Sequence, residues 1–266
     1  MIKLSKKLAK HVVPKSKHYF LKRHLNIYEN YSTINVFVRR LGYFGLSRYC
    51  PVCKGRFRTF LSVEGDAARP DARCPVCGVR ERHRLVWAFF RRHTDLFAPW
   101  NKEMLHIAPE PYMRMVFEED ESIEYTSGDL TNEWRSNEKI DVTDIKYPKN
   151  TFDAIYCSHV LEHVQDDQRA MRELYCVLNT KGWAVLQVPI SGEETREDPS
   201  ITDPEERRRL FGHRNHVRQY GQDYKDRLRA VGFEVCEYPA SEVVDEGELE
   251  RMGIVEGESV FYCTKE

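Results

Sequence analysis

Two copies of the tetrapeptide Cys-Pro-Val-Cys, at 50–53 and 74–77, stand twenty residues apart. No other feature of the chain restricts its fold so tightly. Two residues between thiolates let both sulfurs turn onto one ion, and two such knuckles complete a tetrahedron. Cys50, Cys53, Cys74 and Cys77 fill all four positions, so the expected ion is a structural Zn2+. A pair of disulfides is the competing reading, and a reducing compartment disfavours it. Pro51 and Pro75 stiffen the knuckles. Gly55 and Gly78 follow them and are expected to take the positive φ such turns need. Between the knuckles Phe57, Thr59, Leu61 and Val63 alternate with Arg56, Arg58 and Phe60, a strand of a zinc ribbon. Cys157, Cys176, Cys236 and Cys263 are scattered among apolar neighbours and read as small core residues.

Charge divides the chain. Residues 1–92 hold 21 Lys and Arg against 5 Asp and Glu, and residues 93–266 hold 20 against 37. A basic front joined to an acidic back suggests two units with different partners. The basic part suits nucleic acid, an anionic membrane surface or a phosphorylated substrate. Near the start, Leu4, Leu8 and Val12 repeat at helical spacing among Lys3, Lys6, Lys7 and Lys10. That is a short basic amphipathic helix, fit to lie on a membrane surface or to pack on the next domain. No apolar run reaches the ~20 residues of a spanning helix, and no continuous apolar stretch marks a secretory signal. The expected compartment is the cytoplasm, with peripheral contact to the inner face of the membrane open to the basic start. The organisation read from these features is a basic helical segment over 1–48, a zinc ribbon and linker helix over 49–92, and a larger domain over 93–266. In the linker helix Leu85, Val86, Phe89 and Phe90 form the apolar face, ringed by Arg80, Arg82, Arg84, Arg91 and Arg92.

From Glu103 onward strand and helix alternate. MLHIA, SIEYTSGDL, EKIDVTDI, TFDAIYCS, WAVLQVPI, FEVCEY and SVFYCTKE read as strands. PYMRMVFEED, DDQRAMRELYCVLNTKG and GQDYKDRLRAVG read as helices, the second capped by Asp166 or Asp167. The continuous apolar run of WAVLQVPI is that of a strand in the middle of a parallel sheet. The alternation predicts an α/β, doubly wound sheet, whose ligands bind at the carboxyl ends of the strands where strand order reverses.

The run DVTDIKYPKNTFDAIYCSHVLEHVQDDQRAMRELYCVLNTKGWAVLQVP, with the order of elements around it, resembles the class I S-adenosylmethionine-dependent methyltransferases of the broad type 11 kind. The resemblance spans roughly residues 103–266. It implies a seven-stranded Rossmann-like methyltransferase sheet whose last strand is antiparallel and inserted beside the fifth. It also implies S-adenosylmethionine as cofactor. By position, Ala108 takes the place of a glycine in the first cofactor loop, and Glu110 supplies an acid near the amino-acid end of the cofactor. Asp129 matches the acid that receives the ribose hydroxyls, with Leu130 beside it. Asp144 matches the acid near the adenine, with Ile145 against the ring and Asp141 as competitor for the role. Ser158 lies at the cofactor edge of the fourth strand, and His159 is the expected general base or substrate ligand. His163 is expected to be structural, beneath the site. The first loop, Ala108 to Pro111, departs from the family in having no glycine. A sulfonium cofactor has no pyrophosphate and so does not require the glycine cradle of dinucleotide sites.

Between the fifth strand and the last helix lies a long charged connection. Its His213, His216, Arg218 and Tyr220 are expected to form a substrate lid for a carboxylate or phosphate, with a solvated excursion as the alternative. The leading function is methyl transfer to a small-molecule or glycan acceptor, in keeping with neighbours of the family in surface-polysaccharide biosynthesis. RNA methylation, with the basic zinc module holding phosphates, is the alternative. The absence of an Asn-Pro-Pro-Tyr-like tetrad after the fourth strand counts against it. A non-catalytic zinc-binding scaffold is the third reading, and the glycine-free loop is its support.

Overall fold

The computed structural model describes residues 33–64, 68–130 and 136–266. The basic amphipathic segment expected around Leu4, Leu8 and Val12 lies outside them. Helix α1 (Thr33–Gly42) leads into β1 (Phe44–Cys50), which pairs antiparallel with β2 (Gly55–Phe57). A second hairpin joins β3 (Leu61–Val63) to β4 (Arg69–Arg73). Gly78 has the expected positive φ, +73°, but in the first knuckle Lys54 carries it at +55°. Gly55 is there for space instead. A Cβ on it would lie 2.3 Å from the Phe57 ring and 3.3 Å from the Cys53 sulfur.

Helix α2 (Glu81–His93) follows the second knuckle. Leu85, Val86, Phe89 and Phe90 are buried as expected, but so are Arg84, Trp87 and Ala88. The helix is covered on both sides because it is a layer of the fold. One side meets the cysteine module; the other packs on the sheet, with Phe90 edge-on to Tyr156 at 5.3 Å and tilted against Trp183 at 5.6 Å. A single hydrophobic core runs from Cys50 and Val76 through Phe89 to Val185 and Val260.

The sheet is built from β5 (Lys102–Ile107), β6 (Ile123–Asp129), β7 (Glu138–Lys139), β8 (Phe152–Ser158), β9 (Leu178–Gln187), β12 (Glu234–Pro239) and β13 (Ser259–Thr264). Helix α3 (Pro111–Glu119) joins β5 to β6, and a single 3-10 turn (Leu161–His163) precedes α4 (Asp167–Val177). Beyond β9 come β10 (Arg196–Glu197), α5 (Pro204–Phe211), β11 (Arg218–Gln219) and α6 (Tyr224–Val231), and α7 (Ala240–Val243) and α8 (Glu246–Met252) precede β13. The strand order is β12-β13-β9-β8-β5-β6-β7. All pairs from β9 to β7 are parallel, and β13 is antiparallel to both its neighbours. This is the seven-stranded, doubly wound arrangement with the last strand inserted beside the fifth. The second face is closed by α4 and α6, whose Met171, Leu174 and Leu228 pack with Leu105, Ile155 and Leu186. Asp166 caps α4 by accepting from the Arg169 N–H at 2.9 Å. EKIDVTDI is not a full strand: only Glu138 and Lys139 pair. Asp141 takes the Thr143 N–H at 2.8 Å and its hydroxyl at 2.7 Å, and this local turn displaces a longer ladder.

Candidate active site

Strand order reverses between β5 and β8, and two unusual backbone conformations lie at the carboxyl ends of those two strands. Ala108 has φ +51° and His159 has φ +55°. Left-handed conformations in non-glycine residues cost about 1–3 kcal/mol each and persist where surroundings fix them. The Ala108 N–H donates to the Gly128 carbonyl at 2.7 Å, and the His159 N–H to the Gln187 carbonyl at 2.8 Å. The glycine-free loop therefore turns as a glycine loop would, with alanine carrying the positive φ.

Glu110 is the hub of a buried polar chain that sequence reading did not anticipate. Its Oε2 faces His106 Nε2 at 3.1 Å, and His106 Nδ1 meets the Tyr125 hydroxyl at 2.8 Å. Its Oε1 accepts from the Tyr156 hydroxyl at 3.4 Å and lies 3.2 Å from His83 Nε2 of α2. Burial works against the Glu110 charge, but His83 and His106 outweigh it and hold the carboxyl at about 2, far below its ordinary range. Burial pushes His83 well below the usual imidazole value despite the carboxylate. Glu110 thus fastens the cofactor loop to α2. The acid was legible in the sequence, but its partner His83 was not, because the two lie 27 positions apart on elements joined only by the fold.

Asp129 is half-buried at the carboxyl end of β6, beside Gly128, where a Cβ would meet Ile140 at 2.4 Å. Leu130 is exposed. Asp144 is exposed and pairs with Lys146 at 2.6 Å, which is compatible with a rim position. Ile145 corrects the expectation. Its side chain is buried in the core beneath the sheet and its N–H donates to Glu173, so it is not presented to a ring.

On the other side of the reversal a cavity of about 580 Å³ opens over the ends of β8 and β9. Ser158 and His159 line it, whereas Ala108, Glu110, Asp129 and Asp144 do not. His159 Nδ1 is 3.0 Å from Glu162 Oε1, and Glu162 is fully buried. Burial alone would raise the Glu162 carboxyl; the His159 hydrogen bond and charge outweigh that and keep it low and ionised. An ionised partner fixes the proton on Nδ1 and leaves the His159 Nε2 lone pair for the cavity.

The lid divides in two. His213 and His216 line the cavity, and so does His163, which stands exposed at its rim rather than beneath the site. Arg218 and Tyr220 do not reach it. Arg218 is buried and donates to the carbonyls of Leu161 (3.0 Å), Val164 and Gln165 (2.8 Å), in and just after the 3-10 turn, and to Glu197 at 2.9 Å. The Tyr220 hydroxyl is buried and donates to Asp167 at 2.7 Å. These two strap the lid to the turn below. Three further basic residues, Arg69, Arg80 and Arg82 from the cysteine module and α2, also line the cavity, together with Glu162, Glu237 and Glu258, and Arg69 is paired with Glu81 at 2.5 Å. Arg80 and Arg82 are legible as part of the basic ring of α2; for Arg69 the excess of basic residues before position 93 is the sole sequence signal.

The cysteine cluster fits a metal. All four residues are buried, none is in a disulfide, and their sulfurs lie within 4.8 Å of one another. Cys50–Cys77 and Cys53–Cys74 are separated by 3.5 and 3.7 Å, close to the ~3.8 Å edge of a tetrahedral zinc–thiolate site. Zinc held there would serve structure, since no coordination position remains open.

A profile described as "Methyltransferase domain" matches residues 75–238. No curated protein matches the chain. Among solved structures, a SAM-dependent methyltransferase from Archaeoglobus fulgidus is 17% identical, with 69% of this chain and 94% of that one covered and a TM-score of 0.45. An S-adenosylmethionine-dependent methyltransferase from Mesorhizobium loti is 14% identical, covering 67% and 97%, with a TM-score of 0.46. No described helix is long and apolar enough to cross a membrane.

Proposed function

Because the chain belongs to the methyltransferase domain family, we propose that it moves a methyl group from S-adenosylmethionine to a small-molecule or glycan acceptor that carries an anionic group. The observation that carries the reading is the cavity over the ends of β8 and β9, which Arg69, Arg80 and Arg82 line together with His159. A phosphate or carboxylate matches such a wall. Its size, about 580 Å³, suits a sugar or a small metabolite. A glycan bearing a phosphate or uronate, of the kind found in surface polysaccharides, combines both properties.

S-adenosylmethionine supplies a methyl already activated on a sulfonium, so the protein's work is alignment and proton removal. Asp129 would take the ribose diol, for which a carboxylate offers two acceptors. The left-handed turn at Ala108 brings backbone to the methionine end. The arginines fix the acceptor's anion, and His159 Nε2 takes the proton from the acceptor hydroxyl. Glu162 positions His159 and stabilises the imidazolium that results.

Calorimetric titration with S-adenosylmethionine, beside an Asp129→Ala variant, tests the cofactor half. Micromolar-range binding that the substitution abolishes is the expected result. The acceptor half is tested by a panel of sugars with and without phosphate or uronate groups, where Arg80→Ala should raise KM for the anionic members alone. No binding of the cofactor by zinc-loaded protein would end the enzyme reading.

A further inference from the structure

Three histidines at the cavity mouth, His163, His213 and His216, place one ring nitrogen each within 4.8 Å of the others. They come from two separate segments. His163 closes the 3-10 turn after β8, and the other two lie in the loop between α5 and β11. The rings are mutually inclined, at 90° and 74° from His163 to the other two, with centroids 6.0, 4.8 and 5.0 Å apart. They converge rather than stack.

Two of the three are already oriented as ligands. His163 Nδ1 donates to the Asn215 carbonyl at 3.0 Å, and His216 Nδ1 donates to the Phe211 carbonyl at 2.9 Å. A ring whose Nδ1–H is held by a backbone carbonyl presents a bare Nε2 lone pair, the arrangement found behind metal-bound imidazoles. His213 differs. Its Nδ1 accepts the Asn215 N–H at 3.2 Å, a long bond that it would give up on taking an ion. In a tetrahedral site with ~2.05 Å metal–nitrogen bonds the nitrogens lie ~3.3 Å apart, so the three must close by an ångström or so. The exposed loop carrying His213 and His216 can supply that movement.

We propose that His163, His213 and His216 form a second metal site, distinct from the cysteine cluster, that takes a borderline divalent cation of the Zn2+ type and keeps one position open to the cavity. Neutral imidazoles select zinc and its d-block neighbours over calcium or magnesium. Three protein ligands with an open fourth position are the pattern of a site that binds substrate, whereas the four cysteines leave none. The open position would hold an anionic or hydroxyl oxygen of the acceptor beside His159. Binding would also tie the lid to the turn after β8, closing the cavity mouth. The acceptor role rests on the methyltransferase reading, but the metal site does not.

The test is a Zn2+ titration of the full-length protein whose cysteine site is already filled, followed by calorimetry and metal analysis. Wild type should take up a second equivalent in the micromolar range. His213→Ala should weaken it at least tenfold, and His163→Ala combined with His216→Ala should remove it. Because His213 is exposed, its substitution should leave the zinc-free melting temperature unchanged, which separates lost ligation from lost fold. Co2+ placed in this site should show a ligand-field spectrum without the thiolate charge-transfer band of the cysteine site. Absence of a second equivalent, or one indifferent to all three substitutions, would overturn the proposal. A protein that binds the second Zn2+ but no S-adenosylmethionine would keep the metal site and lose the enzyme reading, so the two failures are distinguishable.

Discussion

Arg84 is a fully buried guanidinium whose removal should unfasten the cysteine module from the sheet domain. Its donors reach four backbone carbonyls: Met252 at 2.5 Å and Gly253 at 3.3 Å at the end of α8, Ala72 at 2.9 Å in β4, and Val79 at 3.1 Å after the second knuckle. The guanidinium also lies 4.0 Å over the Phe60 ring. Burial works against its charge, and the neighbouring Cys50, Glu81, Cys74 and Cys77 work for it. In Arg84→Met the apolar stem is kept and the donors are lost. The Val79 carbonyl retains a partner, since it also accepts from the Cys74 N–H. The other three lose the guanidinium. A stranded buried polar group costs about 1–3 kcal/mol, and part of that is relieved because the charge itself no longer has to be desolvated. The expected net loss is about 3–5 kcal/mol, out of the ~5–15 kcal/mol that a folded chain commonly holds. At roughly 2–4 °C per kcal/mol for a domain of this size, the melting temperature should fall by roughly 6–20 °C. Calorimetry of the zinc-loaded proteins reads this directly, with urea unfolding as a second measure. Arg84→Lys, which cannot span four carbonyls at once, should fall between. A Met variant within about 1 kcal/mol of wild type would refute the reasoning, because it would mean that the desolvation of the guanidinium cancels its four bonds.

Ala108→Gly should be neutral or up to about 1 kcal/mol more stable in urea unfolding, since relief of the left-handed strain offsets glycine's entropy, whereas Ala108→Val should lose about 2 kcal/mol or more. The Glu110 carboxyl is lowered from its ordinary 4.5 to about 2. Its contribution is therefore present above 4.5 and lost as pH falls towards 2, so the stability gap between wild type and Glu110→Gln should narrow across that window. His83, kept neutral by burial, acts in the same direction: the unfolded chain takes up its proton first, and acidification below 6.5 begins to favour unfolding. Glu162→Gln should lower turnover by ~10²-fold with unchanged cofactor affinity, because the amide no longer fixes the His159 tautomer; a change in cofactor affinity of the same size would place Glu162 elsewhere.

The parts of this chain that could be read in advance are those whose cause is local. The knuckle spacing, the apolar face of α2 and the alternation of strand and helix are periodicities of 2 to 4 residues, and the sheet order follows from the resemblance those elements carry. His159 and Ser158 were placed by a strand end, which the sequence marks well. The failures share a different cause. The expectations for Arg218 and Tyr220 follow from residue type in a charged loop and that for Ile145 from its position in the resemblance, and neither says which way a side chain turns. Three backbone carbonyls in and just after the 3-10 turn hold Arg218 inward, and no sequence signal announces them. Arg80 and Arg82 are legible as a basic face of α2 open to solvent or to an anion, whereas nothing in the sequence beyond the basic excess marks Arg69. Packing α2 onto the sheet is what turns them to the cavity.

With a metal in the cysteine cluster, that packing would make the metal a condition for the candidate site rather than an ornament at its side. The cysteine module reaches the sheet domain by three routes: Arg84 to the carbonyls at the end of α8, His83 to Glu110 after β5, and the arginines lining the cavity. All three depend on where α2 begins, and α2 begins four residues after Cys77. Structural zinc contributes apparent folding free energies of about 10–16 kcal/mol in small zinc peptides, comparable with the ~5–15 kcal/mol that whole domains hold. Stripping the metal should therefore release α2, uncover Tyr156 and Trp183, and free Glu110 from His83. The expected outcome is one cooperative transition for the zinc-loaded protein, a large fall in its midpoint with a strong chelator, and loss of S-adenosylmethionine binding in the same titration range. A separable ribbon would behave otherwise. It would melt in a transition of its own, and the stripped protein would bind the cofactor as tightly as before. That result would confine zinc to the module and break the link from the cysteines to the cofactor loop.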